Sequence, residues 1–171
     1  PLIARNSLER MDTLLSTAPL VEPEATKRPA DAVIEFDKVG FAYDETPLFS
    51  DVSFAAPAHS MTAIVGASGS GKTTILRLIA RFWDVHSGAV RIGGVDVREI
   101  GTEDLMGRIS VVFQNVYLFD GTIADNIRLG RPDASQEDVL EAARLARVDE
   151  IAERLPDGFD AQVGEGGAIL S

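Results

Sequence analysis

The sequence contains no cysteine among its 171 residues, which excludes disulfide bonds and metal sites built from thiolates. No run of about 18 apolar residues occurs, so the sequence contains no membrane-spanning helix. No secretory signal peptide is recognisable either. Lysine is scarce, with residues only at positions 27, 38 and 72, and histidine occurs only at positions 59 and 86. The few side chains suited to phosphate or metal binding therefore stand out.

The charge is strongly one-sided, with a net charge of −11 from 27 acidic and 16 basic residues. Much of the excess lies between Asp120 and Glu165, where there are twelve acidic residues and five arginines. A surface of this sign repels a phosphate backbone, so we expect no general nucleic-acid binding. We interpret the stretch as a solvated helical face. With 45% apolar residues, the chain is long enough for one domain with a substantial core.

The pattern of apolar residues predicts a β-rich first half, a strand–turn–helix unit in the middle and a helical last part. Alternation and β-branched runs predict strands at residues 33–43, 51–56, 61–65 and 108–113, and a hairpin over 89–97 that turns at Gly93-Gly94. Helical spacing predicts helices at residues 3–17, 73–83, 122–129, 135–146 and 149–155, the fourth of them with Ser135 as its N-cap. Three prolines between residues 18 and 31 predict a linker.

The motif with the clearest chemistry reads Gly66-Ala67-Ser68-Gly69-Ser70-Gly71-Lys72-Thr73, a full match to the phosphate-binding pattern G-x-x-x-x-G-K-[ST]. Polyphosphate oxygens need several converging N–H donors, and a glycine-rich turn lets consecutive backbone amides point inward. Lys72 then reaches the β- and γ-phosphates, and the Thr73 hydroxyl is a Mg²⁺ ligand. Thr73 and Thr74 are both predicted to bind the nucleotide, and the helix that they begin directs its positive end toward the phosphates. A chance glycine turn is the alternative, but the strand before the motif and the helix after it favour the phosphate site.

A phosphate-binding turn also occurs in kinases, GTPases, helicases and transporters, so the surrounding residues have to distinguish these classes. An aromatic residue, Tyr43, ends the segment Val39-Gly40-Phe41-Ala42-Tyr43, 23 residues before Gly66. Gln114 ends the segment Ser110-Val111-Val112-Phe113-Gln114, 42 positions after Lys72. Three more segments carry recognisable patterns, namely residues 117–127, Val163-Gly164-Glu165-Gly166-Gly167 and Ile169-Leu170-Ser171.

Together these segments resemble the ABC ATPase family over nearly the whole chain. The resemblance implies an α/β fold with a P-loop NTPase (RecA-like) core, an antiparallel β subdomain and a partial α-helical subdomain. It also implies ATP and Mg²⁺ as cofactors. In this family the aromatic residue stacks on adenine, a contact worth about 1–3 kcal/mol, and Tyr43 matches it. A half-buried strand tyrosine is the alternative. The family's glutamine reaches Mg²⁺ and the attacking water, so Lys72 and Gln114 are the candidate catalytic residues; a solvent-facing loop glutamine is the alternative.

The stretch from Tyr117 to Ile127 is similar to exporter-type ABC domains in particular. There it forms the groove that receives the coupling helix of the membrane domain, and apolar Tyr117, Leu118 and Phe119 suit such a surface. Packing into the core is the alternative for each of the three. The variant Tyr117-Leu118-Phe119-Asp120 also resembles exporter-fold siderophore transporters.

Two further residues are assigned through the resemblance alone. Glu165 lies in the short loop before the L-S-G-G-Q signature and is expected to contact the coupling regions, with a solvated carboxylate as the alternative. Ser171 matches the signature serine, which binds the γ-phosphate of ATP held by the opposite subunit. The acidic strand, the catalytic glutamate and the switch histidine of the family are expected beyond Ser171, so we expect no hydrolysis by residues 1–171 alone.

The resemblance also implies a domain organisation and partners. Residues 1–31 are predicted to be a helix and linker from an upstream transmembrane domain, and residues 32–171 the N-terminal part of an ABC ATPase domain. Two such domains, identical or different, would sandwich two ATP molecules at the cytoplasmic face of a membrane. Two alternatives stay open: a DNA-repair or chromosome-type ABC ATPase, and a non-catalytic ATP-sensing dimerisation module. The cargo and the direction of transport are not assigned.

Overall fold

The computed structural model describes residues 19–114 and 117–164, which form two compact units divided between Ser110 and Val111. The first unit contains four strands, β1 (Ile34–Ala42), β2 (Pro47–Ala56), β3 (Ser87–Ile92) and β4 (Val95–Asp96), and two helices, α1 (Lys72–Ile79) and α2 (Thr102–Met106). The second unit contains helices α3 (Ile123–Arg128), α4 (Gln136–Leu145) and α5 (Asp149–Ala152). Single 3₁₀ turns follow β4, at Val97–Glu99, and α5, at Gly158–Asp160. The predicted helix at residues 3–17 lies outside the described residues.

The four strands form one antiparallel sheet in the order β2-β1-β3-β4. The strand predicted for residues 33–43 is confirmed as β1, but its alternation is interrupted: Phe36, Val39 and Phe41 are buried, and the register shifts between Phe36 and Val39, where Lys38 has a positive φ of 51°. Phe36 pairs with Phe54 of β2, and the two rings stack at 4.5 Å. The glycine turn predicted within 89–97 is confirmed, since Gly93 and Gly94 both have positive φ angles between β3 and β4.

Helix α1 packs on the sheet with one face. Leu78 is fully buried, and Ile75 and Ile79 pack against the same core. The helix ends at Ile79 instead of continuing to residue 83 as predicted. Arg81 adopts a positive φ of 51°, which is outside the right-handed helical region, so the chain turns away from the helix axis there.

The proline-containing segment before β1 has no regular structure and is bonded to the first unit along its length. The Arg81 guanidinium donates to the Val21 carbonyl at 2.7 Å, and the Gly101 N–H donates to the Thr26 hydroxyl at 2.9 Å. Lys27 forms an ion pair with Glu99, and its backbone N–H donates to the Glu99 carbonyl at 2.8 Å. These contacts hold the segment against the surface of its unit.

Two of the predicted strands are not formed. Residues 61–65 and 108–113 lack strand pairing, and Met61 is 99% exposed and Val112 92% exposed. A strand needs a neighbour for its backbone N–H and C=O groups, and the only sheet within residues 19–114 and 117–164 is the one formed by β1 to β4. The apolar, β-branched composition of these segments predicted strands, but the preference of such residues for strands depends on tertiary contacts.

Helices α3 and α4 of the second unit begin at polar caps. Ser135 and Asp138 form a capping box at the start of α4, which confirms Ser135 as the N-cap. Thr122 and Asp125 form an equivalent box at the start of α3. Helix α5 is shorter than predicted. A small core unites Ile123, Ala152, Ala161 and Val163. In the part of the chain that is described, no helix is both long and apolar enough to traverse a bilayer.

Candidate functional site

The glycine-rich turn leads directly from Val65 into α1. Its residues 66–70 are exposed, and Gly71 is the N-cap of α1. Gly69 and Gly71 have φ angles of +78° and +89°, a region that side-chain-bearing residues rarely occupy. A Cβ at Gly71 would lie 2.5 Å from two ring atoms of Phe49, so glycine also allows the turn to approach the sheet. The turn therefore exposes its backbone at the N-terminal end of a helix, an arrangement suited to an anion.

Lys72 is the first residue of α1, and its side chain lies over the turn. Its Nζ donates hydrogen bonds to the carbonyl oxygens of Gly66 at 3.0 Å and of Ala67 at 2.7 Å. An ammonium group has three donors and a flexible stem, so it can exchange these carbonyls for phosphate oxygens without a change in the backbone. The structure thus places the predicted cation and the predicted amide donors together.

The two threonines after Lys72 point to different environments. Thr73 is exposed at the mouth of the turn, whereas Thr74 is buried with 6% of its surface exposed. The Thr74 hydroxyl lies 3.1 Å from the hydroxyl of Tyr43. Both threonines are predicted to bind the nucleotide, and the structure leaves the Thr73 hydroxyl accessible for that role, whereas the Thr74 side chain is buried.

Tyr43 follows β1 and lies beside α1. It is 49% exposed, and two aromatic rings make T-shaped contacts with its ring: Phe41 at 4.9 Å with an interplanar angle of 85°, and Trp83 at 5.1 Å with an angle of 86°. The fold therefore brings together Tyr43 and Thr74, which are 31 positions apart in the chain. Its base-stacking role stays a prediction.

The described contacts do not test the remaining predicted site residues. Gln114 belongs to the second unit and is exposed, and its predicted part in catalysis and in Mg²⁺ binding stays a prediction. Glu165 and Ser171 lie outside the described residues.

The stretch predicted as a docking groove divides into partly buried and exposed side chains. Leu118 and Ile127 are partly buried against the small core of the second unit, which for Leu118 is the core-packing alternative. Tyr117 and Phe119 are 55% and 56% exposed, with their rings in edge contact at 5.2 Å. An exposed aromatic pair beside the partly buried Leu118 forms a defined apolar surface.

Asn126 fixes the backbone of this stretch, a role that the sequence alone did not indicate. Its side-chain oxygen accepts from the Phe119 N–H at 2.9 Å, and its amide nitrogen donates to the carbonyls of Phe119 at 2.9 Å and Thr122 at 3.0 Å. Hydrogen bonds from the side chain and backbone of Thr122 lower the pKa of the neighbouring Asp125. The turn between Phe119 and α3 is thus held by side chains of α3 itself.

Arg77 and Trp83, which the sequence alone did not indicate, lie at the Tyr43 hydroxyl and ring. The Arg77 guanidinium donates to the Tyr43 hydroxyl at 3.4 Å and lies over the Trp83 ring at 5.7 Å from its centroid. Thr74 and Arg77 are three positions apart on α1, so they share one helix face. That spacing could have indicated a common partner, although not its identity.

Comparison with known proteins gives a family match that includes the glycine-rich turn. Residues 49–168 match the family described as ABC transporter. The chain is 47% identical over 169 residues to the mycobactin import ATP-binding/permease protein IrtB of Mycolicibacterium thermoresistibile, covering 98% of this chain and 29% of that protein. It is 40% identical over 168 residues to the ATP-dependent lipid A-core flippase of Desulfotalea psychrophila, covering 96% of this chain and 29% of the flippase.

A solved structure is similar over the same span. The structure of a bacterial Atm1-family ABC exporter with ATP bound superimposes with a TM-score of 0.86 at 36% sequence identity, covering 96% of this chain and 29% of the exporter chain. The chain therefore spans less than a third of the length of the proteins it matches. The family match assigns the α/β P-loop NTPase fold with an antiparallel β subdomain, as the sequence predicted. With the phosphate-binding turn, the fold and these matches in agreement, the chain belongs to the ABC transporter family.

Proposed function

We propose that the chain is a nucleotide-binding domain that holds ATP at the turn from Gly66 to Thr74 and uses it to drive transport across a membrane. The observation that carries the proposal is the geometry of this turn. Exposed backbone, positive φ angles at Gly69 and Gly71 and the Lys72 ammonium all meet at the start of α1. A triphosphate needs these converging donors together with one mobile cation.

The residues present also suit the Mg²⁺ that accompanies ATP. The Thr73 hydroxyl is exposed at the mouth of the turn, and hydroxyl and amide oxygens are ligands of the kind that Mg²⁺ prefers. Thr73 would hold the ion, with Gln114 as the proposed second ligand. When bound, Mg²⁺ neutralises charge on the phosphate oxygens. Lys72 would neutralise further charge, and Tyr43 would orient the base.

Hydrolysis and transport are proposals for the whole protein, because the chain spans 29% of the relatives it matches. A second ABC ATPase domain, of the same or another kind, would complete each ATP site and close on ATP binding. The closed pair would catalyse ATP hydrolysis chiefly through positioning and charge stabilisation. Hydrolysis would then reopen the pair. This assembly would lie at the cytoplasmic face of a membrane. Residues 1–31 would connect to the transmembrane domain, and residues 32–171 would form part of the ATPase domain.

We propose that the surface formed by Tyr117 and Phe119 receives the transmembrane domain. Both rings are about half exposed, and the turn that follows is fixed by Asn126. A rigid aromatic pair is the kind of surface that carries binding energy in protein interfaces. Siderophores are the proposed cargo class, supported by the similarity to the mycobactin import protein, although the similarity to a lipid A-core flippase keeps a lipid cargo open.

Specific observations bear on the two alternative functions that the sequence left open. A DNA-repair or chromosome-type ABC ATPase would have to approach DNA, which the excess of acidic residues opposes. A purely ATP-sensing module would share the same turn, so its distinction from a catalytic domain depends on the hydrolytic residues. Capture of the chain by transmembrane domains of an exporter and not by DNA would support transport.

Isothermal titration with MgATP tests the nucleotide site. Lys72→Gln removes the cation at the turn, and Lys38→Gln removes the same charge from an exposed position in β1. We expect MgATP binding by the unmodified chain and by Lys38→Gln, with binding lost or strongly weakened in Lys72→Gln. Equal affinities in all three proteins would reject the turn as the ATP site.

A further inference from the structure

Tyr43 is contacted by neighbouring side chains at both its ring and its hydroxyl. Its ring makes T-shaped contacts with Phe41 and Trp83 at centroid distances of 4.9 and 5.1 Å. Its hydroxyl lies 3.1 Å from the hydroxyl of buried Thr74 and accepts a hydrogen bond from Arg77 at 3.4 Å. T-shaped ring contacts together with a hydroxyl anchor fix the plane of the Tyr43 ring.

Arg77 joins the two sides of this arrangement. Its guanidinium donates to the Tyr43 hydroxyl and lies over the Trp83 ring, 5.7 Å from the centroid. A guanidinium is planar and can donate in its plane while its face rests on an aromatic ring. One side chain therefore fixes the distance between the tyrosine and the tryptophan.

The same contacts connect Tyr43 to the phosphate-binding turn. Thr74 and Arg77 lie on α1, the helix whose first residue is Lys72 and whose N-cap is Gly71. Because α1 begins at the turn, the position of the Tyr43 ring is set relative to the phosphate site by α1 side chains. Half of the Tyr43 surface remains exposed, which is enough for a planar ligand to lie on the ring.

We propose that Arg77 and Trp83 are positioning residues that hold Tyr43 as a platform for the base of a nucleotide bound at the turn. The inference rests on the proposed function, since it assigns the base-binding part of the same site. It predicts that Arg77 contributes to binding of ligands with a planar base and not to binding of the phosphates themselves.

The experiment compares MgATP with magnesium tripolyphosphate, which carries the phosphates without a base. Base stacking on an aromatic ring is worth a factor of about 5 to 150 in affinity, and loss of the anchor forfeits part of it. We expect Arg77→Ala and Tyr43→Phe to weaken MgATP binding by about 3- to 10-fold. Binding of tripolyphosphate should stay within about 2-fold, the usual effect of removing an exposed charge. Arg77→Lys, which keeps the charge and a donor, should restore part of the MgATP affinity.

Arg91→Ala is the matched control, since Arg91 pairs with Asp37 on the sheet at 3.0 Å and its loss changes the net charge equally. Both affinities should be unchanged in this variant. Trp83 supplies an independent readout, because it is the single tryptophan of the chain. Its fluorescence should change on addition of MgATP and not on addition of tripolyphosphate.

The outcomes separate this inference from the proposed function. If the unmodified chain binds neither ligand, the proposed function fails. If it binds both, equal weakening of MgATP and tripolyphosphate in Arg77→Ala overturns the inference alone, because Arg77 would then act on the phosphates by its charge. A loss of thermal stability in Arg77→Ala with unchanged MgATP affinity also overturns it, because the cluster would then serve packing only.

Discussion

Replacement of Gly71 by alanine tests how the shape of the phosphate-binding turn is maintained. Gly71 has a φ of +89°, which costs an alanine about 1–2 kcal/mol. The added Cβ would lie 2.5 Å from two ring atoms of Phe49, and Phe49 is buried in the core, so the ring has little room to move. Overpacking of this kind costs about 1–3 kcal/mol more. We expect Gly71→Ala to lower the free energy of unfolding by about 2–5 kcal/mol.

Gly69 is the matched control for this substitution. Its φ is +78°, but a Cβ there would meet nothing within 4 Å, so Gly69→Ala should cost only the backbone share, about 1–2 kcal/mol. Equilibrium urea unfolding of both variants measures the difference. The penalty of Gly71→Ala should also fall in a Phe49→Leu background, where the ring is absent. Equal losses for the two glycines, or a penalty unaffected by Phe49→Leu, would refute the reasoning.

Three further predictions follow from the described contacts. Arg81→Ala should lower the free energy of unfolding by about 2 kcal/mol, measured in urea, because it removes hydrogen bonds to Asp84 and to the Val21 carbonyl; an unchanged midpoint would contradict the role of Arg81. Asn126→Ala should speed amide hydrogen exchange at Phe119, whose N–H donates to Asn126, and an unchanged exchange rate would count against it. Hydrogen bonds from Ser135 lower the pKa of Asp138, so this stabilisation is present above the unfolded pKa of about 3.9 and is lost as the pH falls through the folded value. Between about pH 5 and pH 3, the free energy of unfolding should therefore fall less in Asp138→Ala than in the unmodified chain. An equal fall in the two proteins would contradict this.

Local patterns were the part of the fold that the sequence predicted well. The glycine-rich turn before α1, the glycine turn after β3 and the Ser135 cap each depend on residues close together in the chain. Each has a physical cause that acts over a few residues, such as a positive φ or a capping hydrogen bond. The structure agrees with the sequence at these positions.

Features that depend on distant partners were not predicted. Residues 61–65 have strand composition but no neighbouring strand in the described ranges, so propensity alone gave the wrong answer there. A helix over 73–83 would place Arg77 and Trp83 about 120° apart around its axis. The positive φ of Arg81 ends the helix before residue 83. Arg77 and Trp83 consequently both contact Tyr43, Arg77 at the hydroxyl and Trp83 at the ring.

A crystal structure of the chain with Mg²⁺ and a non-hydrolysable ATP analogue tests the central claim most directly. The account predicts that the triphosphate lies in the turn between Gly66 and Thr73, with the Lys72 Nζ moved from the Gly66 and Ala67 carbonyls onto phosphate oxygens and the base against Tyr43. An analogue bound elsewhere, or a turn left empty at saturating analogue with Lys72 still on its carbonyls, would contradict it.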